Sequence, residues 1–326
     1  FACVLCAVSL RADMPGSIVR PTGPDGGPTQ VYVALGVLDI DEINSAEQNF
    51  TVNLYVSANW NDPSQVHDGP GERVRPLNEV WNPGMLFVNQ QKVWPTLPEI
   101  VMITPEGQVS YAQRIWGPFS QPLEMKEFPF DTQDFEIRVA SSHARPSQVE
   151  FVQDSEARSG LAPEFSLPDW EILGWELDFT PYNPSGRRGA ASFGMIIHAR
   201  RYVSHYVVKI ILPLVLIVAM SWIVFWIDPS ESGTQIGVAT TSMLTLIAYR
   251  FMVGGMMPPV PYLTRMDHFI LGSTLLVFAA LIQAVTTTIM AHHPDQLSTA
   301  RRIDRVSRAI FPAGFLVLLA FSFRIG

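Results

Sequence analysis

YVVKIILPLVLIVAMSWIVFWI, residues Tyr206 to Ile227, is apolar throughout except for Lys209. Such a stretch is long enough to cross a hydrocarbon core of about 30 Å as a helix. A membrane helix at this point governs the reading of the chain on either side. Toward the C-terminus three more apolar stretches follow, at about 235–253, 268–290 and 309–323. Toward the N-terminus, residues 13–202 are mixed and polar, rich in proline and glycine, with short alternating runs such as Phe50 to Val56 and Phe135 to Val139. Period-two alternation bounded by turn residues predicts an all-β sandwich of the immunoglobulin-like kind. The chain therefore divides into a sandwich domain over 13–202 and a four-helix membrane domain over 203–326.

The opening residues add a compartment. Phe1 to Leu10 is apolar, holds both cysteines, Cys3 and Cys6, and runs into small residues near Ala12. Residues 1–12 are read as the remnant of a secretory signal peptide. The sandwich is then exported and held by its core and partners rather than by disulfides. Four spans return the C-terminus to the same outer side, and Arg301, Arg302, Arg305 and Arg308 between the third and fourth spans agree with the positive-inside rule. A hydrophobic content of 48%, only 16% charged residues and a net charge of −8 argue against nucleic acid as a partner. No Cys/His metal spacing, phosphate loop or serine-nucleophile elbow is present, so neither an enzyme nor a cofactor or metal site is expected.

The second span differs from the others. It carries Thr234, Gln235, Thr240, Thr241, Ser242 and Thr245, hydroxyls and an amide that a lipid-facing helix does not need. Steps of three and four give one stripe: Thr234, Gly237, Thr241, Leu244, Ala248, Phe251 and Gly255. In a ring of identical helices this stripe would line a water path, with leucine and phenylalanine rings as constrictions that close by dewetting. A second reading stands beside it: the threonines bond to carbonyls one turn earlier in an ordinary packed bundle.

Several motifs carry a resemblance that covers nearly the whole chain after the leader. They are Asn59-Trp60-Asn61-Asp62, Trp81-Asn82-Pro83, Phe128-Pro129-Phe130-Asp131-Thr132-Gln133, Arg200-Arg201 ahead of Tyr206, Pro213, Pro258-Pro259-Val260-Pro261-Tyr262 and Phe311-Pro312-Ala313-Gly314-Phe315. In order and spacing the chain resembles prokaryotic pentameric ligand-gated ion channels of the Cys-loop receptor superfamily, most closely the amine-gated bacterial kind. Gln121 and Phe135 stand where animal members have the loop cysteines.

The resemblance implies a homopentamer of five identical subunits in a bacterial inner (plasma) membrane, N-terminal domain and C-terminus outside, conducting monovalent cations among membrane lipids. It implies a pore lined by Glu231, Gly237, Thr241, Leu244, Ala248 and Phe251, with Leu244 the central gate, Phe251 the outer constriction and Glu231 near the inner mouth. It implies coupling at the domain junction through Asp131 with Arg201, packed by Pro129, Phe130, Pro261 and Tyr262. The agonist site would draw on Tyr55, Phe87, Tyr111, Phe179 and Tyr182. Acids of the amine-gated members are replaced here by Leu86 and Ala140, and an aromatic by Ser142. A protonated amine loses its counter-charges, so protons or another small molecule are the expected trigger. His205 and His268, at the tops of the first and third spans, are the pH-sensing candidates. The competing class is a membrane-anchored binding module without conduction, for which one span would suffice.

Overall fold

The computed structural model describes residues 18–23, 26–183, 189–255 and 260–323. The expected leader remnant over 1–12, with Cys3 and Cys6, lies outside them, as do Pro258 and Pro259. Among the described residues, twelve strands form two sheets: β1 (Thr29–Asn44), β2 (Asn49–Asn61), β3 (Arg73–Pro76), β4 (Met85–Phe87), β5 (Trp94–Pro95), β6 (Ile100–Ile103), β7 (Gln108–Ser120), β8 (Thr132–Ser141), β9 (Val149–Gln153), β10 (Gly160–Leu161), β11 (Trp170–Asp178) and β12 (Ser192–Arg201). The larger sheet runs β10-β1-β2-β7-β6-β3, with β9 also on β1 and β5 on β7; the smaller runs β11-β12-β8-β4.

Alternation decides what each strand buries. On β2, Phe50, Val52, Leu54, Val56, Ala58 and Trp60 point into the core while Tyr55 and Asn61 are exposed. Phe50 meets Phe135 edge-on across the core at 5.2 Å and stacks on Phe119, its register partner on β7 of the same sheet, at 5.8 Å. This aromatic layer joins the two sheets, and large buried rings of this kind dominate core energetics.

Four helices long and apolar enough to cross a membrane follow: α1 (Val203–Trp226), α2 (Ser232–Gly254), α3 (Arg265–Ala291) and α4 (Pro294–Ser322). Within α1, Val207–Ile211 is a π-helical turn just ahead of Pro213. A proline lacks the amide that would bond four residues back and crowds that carbonyl, so the backbone there widens. Helix α3 opens with a capping box: Thr264 Oγ1 accepts from the Asp267 amide at 3.1 Å while the Asp267 carboxylate accepts from the Thr264 amide at 2.9 Å.

The fourth helix departs most from the sequence expectation. It starts at Pro294 rather than near 309, so the arginine-rich connection is helix. Ala300, Asp304 and Ser307 are buried at helical spacing while Arg301, Arg302 and Arg305 lie outside. The charges masked an amphipathic turn that hydropathy alone does not detect.

Candidate functional site

The stripe on α2 is fully exposed along its length. Gly237, Thr241 and Ala248 face outward, Leu244 is 66% and Phe251 80% exposed, and Glu231 is exposed just before the helix. The opposite side, Gln235, Ala239, Ser242, Leu246 and Val253, is buried against the other helices. A helix that presents its small and hydroxylated residues outward while packing the reverse face leaves that stripe unpartnered within one chain. The hydroxyls also do what the bland reading requires: Thr241 donates to the Gly237 carbonyl at 2.8 Å and Thr245 to that of Thr241 at 2.8 Å. The two readings are compatible, because a bonded threonine still lines the face it occupies.

At the junction, the last residue of β12 reaches back under the sandwich. Arg201 Nε donates to Asp131 Oδ1 at 2.9 Å and Nη2 to Oδ2 at 3.0 Å, a two-pronged pair with both residues buried. Its Nη1 donates to the Tyr206 hydroxyl on α1 at 3.0 Å and its Nη2 to Ser45, in the β1–β2 turn, at 3.2 Å. The guanidinium carbon lies 4.1 Å from the Trp170 ring centre, 5.0 Å from that of Phe128 and 5.4 Å from that of Tyr206. Burial works to depress the arginine, and the Asp131 carboxylate more than offsets it, holding the guanidinium above its ordinary value. One side chain thus joins β12, the 121–131 loop, the β1–β2 turn and the first membrane helix.

A second tie runs from the same loop to α3. The Met125 amide donates to the Tyr262 hydroxyl at 2.9 Å, the Arg265 amide donates to the Lys126 carbonyl at 3.0 Å, and Arg265 pairs with Glu127. Pro129 is buried; Phe130, 43% exposed, tilts against Phe323 at 5.7 Å. Pro261, expected to pack here, is instead exposed: the Tyr262 hydroxyl makes the reach that the proline ring cannot. His205 is exposed with its ring 5.4 Å from Tyr206, and His268 Nδ1 donates to the Thr264 carbonyl at 2.8 Å.

The five aromatics expected around a ligand separate into two groups. Phe87 is buried, edge-on to Phe119 at 5.6 Å, because on the short strand β4 its neighbour Leu86 takes the outward position. Tyr111 pairs with Ala58 on the core side of β7, and burial raises its phenol above the ordinary value. Phe87 is a core residue, and Tyr111 is half-buried against the core of the same chain. Tyr55 stands on the outer face of the larger sheet, paired in register with Arg114, whose Nε donates to Asn53 at 3.1 Å. Phe179 and Tyr182 lie on the β11–β12 connection of the other sheet. The chain therefore offers two aromatic faces on opposite sheets, and Tyr55 meets the β11–β12 connection only if two copies stand side by side.

The base of the β11–β12 connection is anchored by residues that sequence reading passed over. Arg138 on β8 donates from Nε to Glu136 at 2.5 Å, from Nη2 to Asp178 at 2.5 Å and from Nη1 to the Thr180 carbonyl at 3.3 Å. Burial raises the Asp178 carboxyl, but the Thr180 hydroxyl and amide and then the guanidinium outweigh it and hold the group below the ordinary aspartate range. The available signal was the alternation Glu136, Arg138 on one strand face. Gly84 follows Trp81-Asn82-Pro83 at φ +61°, a left-handed conformation that favours glycine, and an added Cβ would crowd the exposed side chains of Ser142 and His143.

A two-sheet sandwich seated on four membrane-length helices, with a buried ion pair at the seam, is the architecture of a multi-pass membrane protein. The chain belongs to the neurotransmitter-gated ion-channel family: residues 16–181 match the model of its ligand-binding domain and 210–299 that of its transmembrane region. It is similar to the gamma-aminobutyric acid receptor subunit beta-4 of Gallus gallus, 21% identical over 298 residues, covering 87% of this chain. The chain spans 60% of the length of that relative.

Proposed function

We propose that the chain is one subunit of a homopentameric, cation-selective ligand-gated channel of the bacterial plasma membrane, with α2 lining the pore. The observation that carries this reading is the exposed stripe from Gly237 to Phe251 on a helix whose reverse face is packed. Five copies would bring Leu244 and Phe251 into apolar rings that block ions by dewetting, and five Glu231 carboxylates at the inner mouth would favour cations. A stimulus at the sandwich or the seam would reach α1 and α3 through Arg201 and Tyr262, the rigid contacts that cross between domains. Tyr55 of one subunit would face Phe179 and Tyr182 of the next, giving a cavity without the amine's counter-charges: Leu86 is exposed and Ala140 is buried beside it. A pH change is therefore favoured over primary amines as the trigger, with His205, at the start of α1, and His268, in the first turn of α3, the candidate imidazoles.

Current from the protein reconstituted in a planar bilayer, with external pH stepped from acidic to alkaline and propylamine applied in parallel, tests this. Cation current evoked by pH and made easier to evoke by Leu244→Ala is the expected result. Silence of both wild type and Leu244→Ala under every condition would return the chain to the anchored binding module.

A further inference from the structure

At the inner end of the helix bundle lies a buried polar centre that the pore stripe and the seam do not use. Asp304 on α4 is 2% exposed, and its Oδ1 accepts from Gln283 Nε2 on α3 at 2.6 Å. Its Oδ2 lies 3.5 Å from Gln235 Nε2 on α2. That same amide nitrogen donates to the Val224 carbonyl in the last turn of α1 at 3.3 Å, and Gln235 Oε1 accepts from the Thr288 hydroxyl on α3 at 2.7 Å. Gln235 is wholly buried, so one amide on α2 touches the three other helices. Arg308, one turn beyond Asp304, is held elsewhere: its Nε donates to the Phe225 carbonyl at 2.9 Å.

This amide is placed where it controls the position of α2. The helix begins at Ser232 with Glu231 making no side-chain cap, so its first turn is not fixed by its own residues. Along the packed face, Ala239, Leu246 and Val253 offer contact without direction. Directional ties come from Tyr249, whose hydroxyl donates to the Ile210 carbonyl at 2.6 Å, and from Gln235 at the inner end. The two contacts differ: the bond to Asp304 is at the long limit of hydrogen-bond geometry, where a small rotation of α2 either completes or breaks it. Within a dry bundle each outcome is a discrete state, because a buried amide that loses its acceptor must find another.

We propose that Gln235 and Asp304 form a latch that sets the rotational position of the inner end of α2, and with it the balance between closed and open pore; both are positioning residues. The inference rests on the reading of α2 as the pore helix. In Asp304→Asn, nearly isosteric, the side-chain carbonyl keeps the Gln283 bond and turns its amide toward the Gln235 amide, donor against donor. Exchanging the groups, Gln235→Glu with Asp304→Asn, restores a donor–acceptor link between positions 235 and 304 and leaves Thr288 its acceptor, while the Val224 carbonyl loses its donor.

The test uses full-length protein in liposomes with Cys3→Ser, Cys6→Ser and a spin label at Gly233→Cys, in the first turn of α2. Single-channel conductance and open probability are read under pH steps, alongside the label-to-label distance distribution. Asp304→Asn is expected to change open probability about fivefold or more, the range of an ordinary coupling between sites, at unchanged single-channel conductance. It is also expected to shift the distance distribution, and the exchange variant to recover both in part, since the bond to the Val224 carbonyl stays lost. An unchanged distribution and open probability in Asp304→Asn would overturn the latch. A merely structural carboxylate would lower the yield of assembled protein and leave both readouts of the assembled channel where they were. If wild type conducts under no condition the pore reading fails by itself, and the distance measurement still decides whether the latch exists.

Discussion

Asp131 and Asp304 are buried equally, each 2% exposed, and are satisfied in opposite ways. At the outer seam Asp131 receives a two-pronged arginine and the Gln133 amide at 2.7 Å. At the inner end of the bundle Asp304 receives side-chain amides from two other helices. A charge pair with both partners bonded is rigid, and removing one member leaves an uncompensated charge in a dry site. The bundle carboxylate takes its hydrogen bonds from neutral donors and feels the Arg308 guanidinium only through its charge, an arrangement that tolerates rearrangement. On the proposed reading, the aspartate at the seam transmits and the one in the bundle adjusts.

The comparison breaks first at the seam. Arg201→Ala should cost about 3–5 kcal/mol, because Asp131 is then buried without its cation. Thermal unfolding followed by circular dichroism in detergent would show it as the largest loss of the series. Asp131→Ala with Arg201→Ala should cost less than the two single losses added, since neither charge is then stranded. Additive losses would mean that the pair is not the unit it looks to be.

Asp304→Asn should come next, at about 1–3 kcal/mol, the usual consequence of setting a buried donor against another donor. The same melting curve reads it. A loss as large as that of Arg201→Ala would put Asp304 in the rigid class and erase the contrast. Tyr262→Phe should be smaller, about 1 kcal/mol, since it removes the acceptor of the Met125 amide while keeping the ring against the core. Amide hydrogen exchange at Met125 should accelerate in this variant while exchange along β2 stays as it was.

How much of this was legible in the sequence follows from the kind of signal each feature leaves. The spans and the sandwich were readable because hydropathy and period-two alternation are local properties. The stripe on α2 was readable because helical spacing fixes which residues share a face. Phe87, a candidate for the ligand site, is buried and Tyr111 half-buried, because an aromatic on a strand does not say which face it takes; that depends on the register of neighbours distant in sequence. The start of α4 was hidden by its arginines, although the same residues held the clue to the latch. Arg301, Arg302, Arg305 and Arg308 surround one acid, Asp304, on the narrow buried side with Ala300 and Ser307. Gln235 and Gln283, lone amides in apolar helices, were the matching half of the signal, because polar groups at membrane depth turn toward protein.

The smallest effect extends the comparison to a carboxylate that is only partly covered. Asp178 is held by Arg138 at 2.5 Å and by the Thr180 amide at 2.9 Å, and its carboxyl lies below the ordinary aspartate value of 3.8. A group depressed in the folded state contributes stability that is fully present above the ordinary carboxylate range and is lost as pH falls through the folded value. Protection of the Thr180 amide from hydrogen exchange, corrected for intrinsic rates, should therefore be constant from neutral pH down to about 5 and decline only below about 4. Arg138→Gln removes one of the groups that hold Asp178 down, so the decline should begin at higher pH in that variant. A decline between pH 5 and 7 in wild type would mean that a histidine rather than Asp178 controls the base of the β11–β12 connection, and the pH trigger would then have to be sought at that loop instead of at the seam.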